Sequence, residues 1–109
     1  MTAPDSDPAA DPAVEPGPAD TVLSRTVTIV NRRGLHARAA ARFVKTAERF
    51  KAEITVVRKD AAVSGLSIMG LMMLAAAPGS TLELRASGAD APAALDALVK
   101  LVADKFDED

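Results

Sequence analysis

The sequence predicts an α+β fold: one four-stranded antiparallel sheet covered on a single face by three helices. Three observations lead there. Segments of alternating hydrophobicity and segments of helical periodicity succeed one another in the order β-α-β-β-α-β-α. Each helical segment is apolar on one side, as a helix lying on a sheet must be. The strands alternate rather than run continuously apolar, which favours an antiparallel sheet with one solvated face. The chain has no internal repeat.

In order, Leu23 to Val30 reads as the first strand, with Leu23, Arg25, Val27 and Ile29 on one face. Arg25 is the only break in that pattern. Ala37 to Phe50 is the strongest amphipathic helix. Its apolar set is Ala40, Phe43, Val44, Ala47 and Phe50, while Arg38, Arg42, Lys45 and Arg49 recur on another face. Glu53 to Lys59 holds the β-branched run Ile54-Thr55-Val56-Val57 and predicts a second strand. A tight turn at Asp60-Ala61-Ala62 leads to a short third strand near Val63. Ser67 can cap a short helix through Leu74, which Pro78-Gly79 would stop. Thr81 to Ala86 alternates as the last strand. Asp90 then caps a helix that buries Leu95, Leu98, Val99, Val102 and Phe106, with Asp96–Lys100 and Lys100–Asp104 pairs outside.

Composition sets limits on function. The first twenty of 109 residues hold five of the seven prolines, five acids and no Lys or Arg, with Met1 and Val14 as their only large apolar residues. Such a segment cannot bury enough surface to offset its ordering entropy. Residues 1–21 are therefore expected to be a disordered acidic extension, and residues 22–109 the folded domain. The start lacks the basic end and apolar core of a secretory signal, and no run approaches the ~20 apolar residues of a membrane span. The absence of cysteine excludes disulfides, thiolate chemistry and Cys-based metal sites, and fits the cytoplasm. Outside the extension, thirteen basic residues face ten acidic ones. Ten of the basic residues fall between Arg25 and Lys59, beside only Glu48 and Glu53. That asymmetry suits a negatively charged partner.

The candidate site is Gly34-Leu35-His36-Ala37-Arg38, which contains the only histidine. Asn31 and Gly34 mark a turn between the first strand and the first helix, so His36 belongs at the helix N-cap. The first helical amides have no intrahelical partner, and the peptide dipoles add about half a positive charge there. A phosphate on His36 would meet the amides from Ala37 onward, and Arg38 could grip it bidentately. The same positive end disfavours the imidazolium and leaves a nucleophilic neutral ring. A lone histidine at such a junction is more often a simple cap, and a basic stripe more often a solvated face. The combination points instead to a transiently phosphorylated histidine. Ser67, too, is by itself most often a cap. The run Ile68 to Leu74 is richer in Met, Leu and Ile than one buried stripe needs, so part of it should form an exposed binding patch.

Gly34-Leu35-His36-Ala37-Arg38 resembles the active-site signature of HPr, the histidine-containing phosphocarrier of the bacterial phosphotransferase system. Ser67-Ile68-Met69-Gly70-Leu71-Met72 resembles the same family's regulatory-serine segment. The resemblance covers about residues 22–109. It implies an open-faced β-sandwich and a stoichiometric carrier rather than a turnover enzyme, with no cofactor and no metal. His36 would take phosphate on Nδ1 from enzyme I and pass it to an enzyme IIA-type acceptor. Arg38 would neutralise the phosphate, the Ala37 amide would contact it, and Asn31 would line the site. Ser67 would be the target of HPr kinase/phosphorylase. Arg42, Lys45, Ile68, Met69, Leu71 and Met72 would face partners, and the protein would be a monomer. Three departures qualify the match. Ala39 replaces the usual proline, Leu66 stands where kinase-regulated members carry a basic residue, and the N-terminal extension is long. The ending Phe106-Asp107-Glu108-Asp109 is similar to that of the nitrogen-related paralogue, which tips the reading toward that branch.

Rival classes fare worse. A hydrolase or acyl transferase would need a nucleophile and an orienting acid beside His36, and the motif holds no Cys, Ser or Asp. Nucleic-acid stacking platforms need aromatics, and the chain has three Phe and no Trp or Tyr. The remaining alternative is a regulatory binding module that acts through Ser67 and the Met-rich helix.

Overall fold

The computed structural model describes residues 21–108, so the expectation of a disordered acidic extension falls outside the described residues. The elements are β1 (Leu23–Thr28), α1 (Ala37–Ala47), β2 (Glu53–Arg58), β3 (Ala61–Ser64), α2 (Ile68–Met73), β4 (Thr81–Ser87) and α3 (Ala91–Ala103). A 3-10 turn at Lys105–Asp107 follows. The four strands form one sheet in the order β1-β4-β2-β3, antiparallel at every pairing. This is the predicted architecture. No described helix is long and apolar enough to cross a membrane.

Alternation decides which sheet face is covered. Val27 and Ile29, Ile54 and Val56, and Leu82, Leu84 and Ala86 are all buried on the helix side. Facing them, α1 contributes Ala39, Ala40, Phe43 and Ala47, and α3 contributes Ala91, Ala94, Leu95, Leu98 and Val102. Small residues on both helices let them lie close to the sheet. Arg25, the misfit of β1, is exposed and reaches Asp96 at 3.8 Å.

Three local expectations change. The Asp90 side chain accepts from the Lys51 amide at 2.7 Å and does not cap α3, whose first turn contains Pro92 and so has one amide fewer to satisfy. Asp96 pairs with Arg25, so of the two predicted helix pairs only Lys100–Asp104 forms, at 2.6 Å. Phe106 is fully buried, but from the 3-10 turn after α3 and not from the helix itself.

Candidate functional site

Backbone geometry at the end of the first strand places the histidine. Asn31 is fully buried, and its Nδ2 donates to the Gly34 carbonyl at 2.8 Å, closing the turn. Gly34 has φ +69°, in the left-handed region that glycine occupies without penalty. Leu35 is buried, and its amide donates to the Ala76 carbonyl at 2.9 Å, tying the turn to the segment after α2. His36 is then the N-cap of α1, with extended backbone at φ −81° and ψ −178°.

The ring is held at both nitrogens. The Arg38 amide donates to Nδ1 at 3.3 Å, so the imidazole does what a Ser or Asp cap ordinarily does. Nε2 lies 2.6 Å from Oε2 of Glu108. The same oxygen accepts from Nδ2 of Asn31 at 3.1 Å. The His36 side chain is 17% exposed and that of Glu108 8%. Hydrogen bonding from His36 holds the Glu108 carboxyl below its usual range. Burial opposes this, while the Asn31 bond and the electrostatic attraction of the His36 ring and the Arg38 guanidinium assist it.

Glu108 is the residue that sequence reasoning missed. An orienting acid does stand beside His36, contrary to expectation, and it comes from 72 residues away. That removes half of the argument against a self-contained hydrolase, and the other half, a motif with no Cys or Ser to act as nucleophile, is unaffected. Both ring nitrogens are engaged, one by a carboxylate and one by a backbone amide, and neither of these is a nucleophile to be activated. Among the described residues, no group of three or more His, Cys, Asp or Glu could hold a metal ion.

The other predicted residues divide. Arg38 and Lys45 are exposed on α1, the helix that His36 caps. Arg42 is half-buried and donates to the Phe106 carbonyl, so part of its guanidinium fork braces the C-terminal turn. Ser67 caps α2 through Oγ, which accepts from the Gly70 amide at 2.9 Å. Ile68, Met69 and Met72 are exposed, Met69 to 73%. Leu71 is 0% exposed and belongs to the core, contrary to the expectation that it faces partners. Met73, which the sequence did not single out, is 78% exposed and extends the patch in its place.

A small α+β scaffold that holds one histidine at a helix start, next to the first helical amides and an exposed arginine, has the architecture of a phosphoryl carrier. The family described as the "PTS HPr component phosphorylation site" matches residues 23–104. A phosphocarrier protein HPr of Neisseria meningitidis is 48% identical over 87 residues, covering 80% of this chain and 98% of its own. A phosphocarrier protein NPr of Shewanella violacea is 50% identical over 88 residues, covering 81% and 97%. The crystal structure of an HPr from Thermoanaerobacter tengcongensis superposes with a TM-score of 0.76 at 42% identity, covering 80% and 98%. The chain belongs to the HPr family of phosphocarriers of the phosphotransferase system.

Proposed function

We propose that His36 carries the phosphoryl group on Nδ1, receiving it from enzyme I and delivering it to enzyme IIA-type acceptors in the cytoplasm. The observation that supports this most is the position of Nδ1, at the helix start and facing the Arg38 amide. In the forward step the Nδ1 lone pair forms the N–P bond as the donor's bond to phosphorus breaks and its electron pair returns to the donor. The phosphoryl oxygens then take over the amides at the start of α1, including that of Ala37, and the exposed Arg38 guanidinium folds onto them. The reverse sequence unloads the group, so the protein is consumed and regenerated as a stoichiometric carrier. Either the nitrogen-related or the sugar branch fits the chemistry. The ending Phe106-Asp107-Glu108-Asp109 favours the nitrogen-related one.

The test is incubation with enzyme I and labelled phosphoenolpyruvate. Acid-labile label on the peptide containing His36 is the expected result, and label elsewhere overturns the proposal. Arg38→Ala should slow transfer at least tenfold, or ~1.4 kcal/mol in the barrier. Because Arg38 is exposed, its melting temperature should hardly move. A fall in stability without a fall in rate would refute the assignment.

The exposed Ile68, Met69, Met72 and Met73 would serve as the partner surface, with Arg38, Arg42 and Lys45 of α1 as its basic rim. Apolar contact there supplies affinity, and the rim supplies orientation and association rate. Phosphorylation of Ser67 by an HPr kinase/phosphorylase would add about two negative charges to that patch. Ser67→Asp keeps a competent N-cap, so thermal stability should persist while His36 phosphorylation slows. Met69→Glu should weaken enzyme I binding in the same way. Unchanged rates in both variants would show that partners dock elsewhere. A regulatory role for the Met-rich helix is compatible with carriage by His36 and does not replace it.

A further inference from the structure

We propose that Glu108 is a positioning residue for phosphoryl transfer: from the C-terminal turn it keeps the proton on Nε2 of His36 and balances the charge that the ring acquires when Nδ1 is loaded. The inference rests on the reading of His36 as the carrier.

The two hydrogen bonds on the ring define its protonation between them. A backbone amide can only donate, so the nitrogen facing the Arg38 N–H presents its lone pair, and that nitrogen is Nδ1. An ionised carboxylate can only accept, so the nitrogen 2.6 Å from Glu108 Oε2 carries the proton, and that nitrogen is Nε2. The ring is therefore set in the one neutral form in which Nδ1 can attack.

The C-terminal turn is built in a way that serves this contact. Lys105, Phe106 and Asp107 have φ of 59°, 55° and 61°, three successive non-glycine residues in the left-handed region. That conformation is uphill for L-residues and persists only where the surroundings impose it. Here the buried Phe106 ring anchors the turn, and Arg42 of α1 holds the Phe106 carbonyl. Asn31 holds Glu108 itself. The product of these constraints is one carboxylate, nine-tenths buried, against the ring nitrogen opposite the reacting one.

The chemistry uses both the proton and the charge. As the Nδ1 lone pair forms the bond to phosphorus, the ring becomes a cation that still carries H–Nε2. The carboxylate lies beside that cation and lowers its energy. On delivery the N–P electron pair returns to Nδ1. Because Nε2 has kept its proton, the leaving group is neutral imidazole and not the far poorer imidazolate. No proton moves in either direction.

Two variants separate the contributions. Glu108→Gln retains an acceptor for H–Nε2 and for Asn31 without the charge, and Glu108→Ala removes both. Nitrogen-15 NMR of wild type should show the ring proton on Nε2 before and after loading, slowed in its exchange by Glu108. In Glu108→Ala that proton should exchange too fast to see. Phosphorylation by enzyme I and phosphoenolpyruvate should slow about threefold in Glu108→Gln and about tenfold in Glu108→Ala, with label still on His36. A merely structural role would be restored fully by glutamine, so wild-type rates in Glu108→Gln overturn the proposal. A wild-type ring protonated on Nδ1 overturns it as well. Label on a residue other than His36 defeats both readings together, whereas label on His36 at unchanged rate defeats only the role of Glu108.

Discussion

His36→Ala is expected to abolish phosphoryl acceptance while the domain stays folded. No other side chain can replace the imidazole, because this is the only histidine and the chain has no cysteine. The rate of enzyme I-dependent labelling should fall to background, more than about a thousandfold, or ~4 kcal/mol in the barrier. The structural cost is small by comparison. The substitution removes an N-cap bond, but a long one at 3.3 Å, so the loss should lie near the low end of the ~0.5–2 kcal/mol seen for good caps. Glu108 loses its strongest partner and keeps only the Asn31 N–H, and because its side chain is only 8% exposed the unpaired carboxylate adds to that loss. For a domain of this size, about 1 kcal/mol lowers the melting temperature by ~4–8 °C. Labelling assays and melting curves on the same preparation give the answer. Acid-labile phosphate on a well-folded His36→Ala protein would place the carrier site elsewhere.

The fold was legible because it depends on patterns that the sequence displays locally. Alternation in Leu82-Glu83-Leu84-Arg85-Ala86 and the apolar side of α1 survive intact as buried positions. The histidine was legible for the same reason, since the strand, turn and helix that position it are contiguous. Two things were not. Periodicity cannot choose the inner face of a run in which nearly every residue is apolar, so Leu71 could not be told from Met73 between Ile68 and Leu74. Packing made that choice, burying Leu71 and Leu74 and leaving the methionines outside. Glu108 was hidden by its distance along the chain and by a turn of consecutive left-handed residues. Lys-Phe-Asp carries no glycine or asparagine to announce such a turn. What forces the conformation is tertiary: the slot for Phe106 and the reach of Arg42.

Gly34→Ala should have the largest effect on stability, and it should damage the site and the fold together. A Cβ at Gly34 would lie 2.5 Å from the Ala76 carbonyl oxygen and 3.1 Å from the Ala77 Cα. Both are backbone atoms, so no flexible side chain can move aside. Relieving the clash means backing the turn away from Ala76, whose carbonyl accepts the Leu35 amide at 2.9 Å. The left-handed φ adds about 1–2 kcal/mol for any residue with a Cβ, and the clash and the lost bond raise the total to about 2–4 kcal/mol. That predicts a melting temperature lower by roughly 10–25 °C. Phosphorylation should slow even where the protein remains folded, because the Gly34 carbonyl accepts both the Asn31 side chain and the His36 amide. Gly34→Asn separates the two causes, since asparagine tolerates left-handed φ better than alanine but carries the same Cβ. The contact with Ala76 is the larger contribution, so the two variants should melt within a few degrees of each other. Wild-type stability in Gly34→Asn would instead mean that φ alone requires the glycine and that the turn can retreat from Ala76 at little cost.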